Sequence, residues 1–110
     1  MIEVEVRGII ELPEDETRKR QLEEKLQEYY SRIHLYIAPE SQMDAICKAA
    51  VLERLLRNGS VDIAALRQEL EKKFGTGFQL LSFINACLVI QDYCLTGGKN
   101  TRGGTGLPEV

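Results

Sequence analysis

Three cysteines, one histidine and a glycine-rich C-terminus are the residues here whose types could do chemistry. Cys47, Cys87 and Cys94 are candidates for redox work or metal ligation. Thiolate ligation of zinc needs close pairs such as CxxC, or cysteine with histidine at short spacing. Neither occurs. Cys87 and Cys94 stand seven apart on one segment. That is about 10 Å of helical rise, too far to bridge one another. They read as buried structural thiols. An odd count, with no secretory leader in MIEVEVRG, points to reduced cysteines in the cytoplasm.

His34 is the sole histidine, near Tyr29, Tyr30 and Tyr36. A general base needs a partner within hydrogen-bond reach, and no spacing here specifies one. A concave pocket around His34 and the tyrosines is the condition for an enzymatic reading. No catalytic residue is assigned, and neither metal nor cofactor is expected.

The stretch CLTGGKNTRGGTGLPEV holds five of the nine glycines. GGKN resembles a phosphate-binding loop only superficially. That motif is GxxxxGK[ST], set between a strand and a helix. Asn100 follows Lys99, and Tyr93 stands where the first glycine belongs. Residues 96–110 read as a tail, with Leu107-Pro108 an extended apolar pair able to dock in a groove.

These residues must be carried by a single domain, expected over residues 1–95 of the 110. At its N-terminus Ile2, Val4 and Val6 alternate with Glu3, Glu5 and Arg7, the period of a half-buried strand. Gly8 breaks the alternation, and Ile9, Ile10 and Leu12 follow. Such a strand needs a mate, in this chain or in a second copy. Pro13, followed by three acids, predicts a helix running to about Ala38, before Pro39. Residues 32–38 also fit a short strand, since they are rich in β-branched and aromatic side chains.

Ser41 and Asp44 suggest a capping box for a helix over 41–57, ended by Asn58-Gly59. Asp62 should cap a helix to Phe74, with Val61 and Leu66 as its hydrophobic staple. A last helix is expected over 77–95. Leu80, Phe83, Ile84, Cys87, Leu88, Ile90, Cys94 and Leu95 give it an apolar arc of about half its circumference. Leu80, Phe83, Ile84, Cys87 and Ile90 are the expected core or interface. Gln79, Asn85, Gln91 and Asp92 make the segment too polar to span a membrane. The expected fold is therefore mainly α, a bundle of about four helices with an N-terminal strand and minor α+β character.

The net charge of −3 disfavours general binding to nucleic acid, which needs cations to neutralise phosphates. The three helices after residue 40 do resemble a helix-turn-helix core, but its last helix has no Lys or Arg. Arg67, Gln68, Lys72 and Lys73 would have to read the nucleic acid. The favoured expectation is a non-enzymatic protein-interaction or assembly module. It would bind itself as a homodimer or larger, or serve as an accessory subunit. The alternative is a helix-turn-helix-like nucleic-acid regulator.

Overall fold

The computed structural model describes residues 8–96. The expectations for Ile2, Val4, Val6, Leu107 and Pro108 lie outside that range. The described chain is mainly α: four helices and one two-stranded antiparallel sheet.

Strand β1 (Ile9–Glu11) pairs with β2 (Ser60–Asp62), Ile10 opposite Val61. Both side chains are buried in the core. Hydrogen bonds extend the ladder at each end, from Leu12 N to Gly59 O at 3.0 Å and from Ile63 N to Gly8 O at 2.9 Å. The mate of β1 thus lies in the same chain. β2 was expected only as the lead-in to a cap. Three residues leave no periodicity to detect.

Helix α1 (Glu16–Ser31) starts later than Pro13 would set it. Asp15 is its N-cap, accepting from Thr17 N at 3.1 Å. Its end corrects both expectations for residues 32–38, which form neither helix nor strand. The Gln42 side chain is the physical reason. Its Oε1 accepts from His34 N at 2.9 Å, and its Nε2 donates to His34 O at 2.7 Å and Ile37 O at 3.2 Å. Backbone groups that a helix or a sheet would have used are satisfied by one amide.

A 3₁₀ turn (Pro39–Gln42) leads into α2 (Met43–Asn58). The expected Ser41–Asp44 capping box is absent, and no side chain caps this helix. Asp44 instead pairs with Lys48 at 3.0 Å and accepts from Asn85 at 3.4 Å. Gly59 ends α2 with φ of 81°, donating to Leu55 O at 2.8 Å. A residue with a Cβ would be strained there.

Helix α2 occupies the centre. Met43, Cys47, Val51, Leu52 and Leu55 are buried along it, and α1 and α4 pack against it. Helix α3 (Ile63–Phe74) is capped by Asp62, which accepts from Ala65 N at 3.2 Å. Val61 and Leu66, at the staple positions, are both buried. Arg54 of α2 grips Glu69 of α3 through two hydrogen bonds, at 2.5 and 3.2 Å. Helix α4 (Leu80–Thr96) begins after a 3₁₀ turn (Gly75–Gly77). Gly77 lies so close to Glu40 that a Cβ would come within 2.9 Å of its carboxylate.

Phe83, Ala86, Cys87 and Ile90 form the buried face of α4. Phe83 is the largest fully buried side chain, and its ring centroid lies 5.9 Å from that of Phe78. Phe83→Ala should cost about 3–5 kcal/mol, the range for a buried aromatic. Urea denaturation reads it directly, and a loss near zero would refute the burial.

Candidate interaction surface

Helix α4 is apolar over twice the arc that the core uses. At 100° per residue, Phe83, Ala86, Cys87 and Ile90 span one quadrant and point inward. Leu80, Leu81, Ile84, Leu88 and Leu95 occupy the next quadrant. Leu81 is 81 % exposed, Leu95 53 % and Leu80 38 %. Ile84 and Leu88 are half-buried. Asp92 is the one charged residue of this helix. The structure therefore separates the residues expected as core or interface. Phe83, Cys87 and Ile90 are core; Leu80 and Ile84 are rim.

Two clefts border this second face along its core-side edge. One, of about 610 Å³, runs between α3 and α4, with Ile63, Ala64, Leu80 and Ile84 in its walls and Gly8 at its edge. The other, of about 460 Å³, lies between β1 and the end of α4, with Ile9, Leu12, Gln91 and Leu95 around it. Ile9 is 55 % exposed. Charged residues share their walls: Arg67 and Glu71 in the first, Glu11 and Glu14 in the second.

A second apolar projection is the loop 32–38. Leu35 is fully exposed and Tyr36 86 % exposed. Gln42 is hydrogen-bonded to the backbone of His34 and Ile37, the residues that bracket this tip. A cleft of about 360 Å³ lies beside it, lined by Tyr30, Ile33, His34, Ile46 and Phe74 among others. The concavity that an enzymatic reading requires is present, but its walls are mostly apolar. The His34 ring sits 5.7 Å from that of Tyr36. Among the described residues, no carboxylate or hydroxyl is hydrogen-bonded to the imidazole.

Tyr29, buried on α1, is pushed up from its ordinary pKa by burial and by neighbouring Tyr93. Lys25 lies 5.5 Å from the centre of the Tyr93 ring. This charged cluster on α1 sits over a cleft lined by Arg18, Glu24, Lys25, Glu28 and Tyr93. Its acids and bases largely offset one another: Lys25 pairs with Glu28 at 3.4 Å, and Glu28 with Arg32 at 2.6 Å.

The three cysteines are free. Among the described residues, no group of three or more His, Cys, Asp or Glu is placed to hold a metal ion. No helix among the described residues is long and apolar enough to cross a membrane.

Leu81, Leu35 and Tyr36 are surface features that the sequence reading missed. Leu81 had a signal: it stands seven residues before Leu88, as Leu95 stands seven after. Leu35 and Tyr36 had none, because their exposure depends on a hydrogen-bonding residue further along the chain. Comparison with protein-family models, curated proteins and solved structures returns no match.

Burial raises all three thiols from an ordinary 9.0: Cys87 to about 12, Cys47 and Cys94 to about 11. The folded state thus favours the protonated thiol. Its contribution to stability is whole below pH 9.0 and is lost as pH rises toward about 12. Urea midpoints should fall across that window, and Cys87→Ala should flatten the fall. An equal slope in wild type and variant would contradict the assignment.

Proposed function

We propose that this chain is a non-enzymatic assembly module that binds protein through the outer face of α4. One observation carries the reading. A helix with a complete core face has a second apolar face, partly open to solvent. Water contact with such a band costs about 25 cal/mol per Å² of apolar surface, which a protein partner would recover. Isolated exposed leucines are ordinary, but a contiguous band on one element marks an interaction surface. The partner is a second copy of the chain or a subunit of a larger complex.

Nucleic-acid binding draws less support. On α3, Arg67 is paired with Glu71 at 3.2 Å, and Glu69 holds Arg54. The cations of that face are interleaved with acids and partly spent on them. The cytoplasm is the proposed location, on the ground of three free thiols, two of them buried.

Light scattering on a size-exclusion column tests the reading. The chain should elute with a mass above 12.4 kDa, the value of one copy. Leu88→Glu should return it to that mass with unchanged helical circular dichroism. A chain that is monomeric alone, and whose binding to co-purifying protein survives Leu88→Glu, would overturn it.

A further inference from the structure

We infer that Asn58–Gly59, the junction between α2 and β2, is a self-modification site that the C-cap of α2 holds closed. When the cap opens, Asn58 loses its side-chain amide and becomes a carboxylate. This stands independently of the assembly reading.

The residue pair supplies the chemistry. Of the three asparagines, Asn58 alone precedes a glycine. A backbone nitrogen can attack the Cγ of the asparagine before it, and glycine puts no side chain in the way. Gly59 N gives its proton to hydroxide and bonds to Asn58 Cγ. The Cγ–Nδ2 bond breaks, and that nitrogen leaves as ammonia with a proton from water. The product is a succinimide ring, which water then opens. Cleavage at Cγ leaves aspartate. Cleavage at the backbone carbonyl leaves isoaspartate, with the main chain routed through the former side chain. The sum is amide plus water giving carboxylate plus ammonium. No oxidant, cofactor or second protein is required.

Access is open, and hydrogen bonding is the restraint. Asn58 and Gly59 are both exposed. A Cβ placed on Gly59 would meet nothing within 4 Å, so water and hydroxide reach the site. Gly59 N, the attacking atom, is occupied: it donates to Leu55 O at 2.8 Å. Asn58 is the last residue of α2. A helical ψ of about −42° keeps the next nitrogen out of the plane that the ring needs. Gly59 O accepts from Leu12 N at 3.0 Å, which pins the glycine from its other side. Only a local opening that breaks these bonds brings the two atoms together.

The damage falls on the ladder that closes the core. Either product adds negative charge at the C-terminal end of α2, where the helix dipole is already negative. Isoaspartate also inserts one carbon into the main chain between the bond to Leu55 and the bond from Leu12. The pairing that seats Ile10 opposite Val61 then loses its register. The change is one-way, so it accumulates in chains whose cap opens most often.

Peptide mapping by mass spectrometry tests this on the full chain, held at mildly alkaline pH either folded or in denaturing urea. Aspartate and isoaspartate at position 58 should form at least several-fold faster in urea. Asn85, which precedes Ala86 within α4 and donates to Asp44 at 3.4 Å, is the internal control and should stay unconverted in the folded chain. Chains carrying isoaspartate should unfold at lower urea than the Asn58→Asp variant, which has the charge without the added carbon. Equal rates at position 58 in the folded and denatured chain would overturn the hold of the cap. No conversion there in urea would overturn the site itself. An isoaspartate chain as stable as the unmodified one would overturn the link to the ladder.

Discussion

The burial of α2 is the constraint on which the rest of this structure depends. Met43, Cys47, Val51, Leu52 and Leu55 leave that helix little contact with water. A helix with seven buried side chains must be covered on more than one side. α1 lies along one side and α4 along another, while the β1–β2 ladder closes the C-terminal end through Ile10 and Val61. The short sheet is therefore a lid on the core. Its two strands, three residues each, would be marginal alone. They persist because each contributes one buried side chain to a core already assembled by the helices.

The same constraint explains what α4 leaves over. α2 needs only one quadrant of α4, that of Phe83, Cys87 and Ile90. The apolar sequence of α4 extends well past that quadrant. A monomeric fold gains nothing from Leu81 or Leu95 at the surface. A second helix laid against them gains the transfer of several leucines out of water, about 1.5–3 kcal/mol for each one fully buried. Association itself consumes part of that gain. The proposed contact would therefore be concentration-dependent rather than permanent.

Much of the fold was legible in the sequence where the signal was local. Asp62, with Val61 and Leu66 around it, announces α3 because a cap and its staple span only a few residues. Gly59 announces the end of α2 for the same reason. What was not legible depends on contacts between distant residues. Gln42 reaches back eight residues to His34 and dissolves the helix that the apolar spacing of Ile33 and Ile37 extends. Asp44 is drawn to Lys48 and Asn85 and so does not cap α2. The width of the apolar arc on α4 was readable. Its division between core and surface was not, because that depends on where α2 lies.

The central claim is that α4 has two apolar faces, one for its own core and one that we propose for a protein partner, a second copy first among them. The most direct measurement follows leucine and isoleucine methyl resonances through serial dilution. Leu81, Ile84, Leu88 and Leu95 should shift together as the concentration falls, while Ile90 and Leu52 hold still. Outer-face methyls as constant as those of Ile90, over the whole range, would contradict the account.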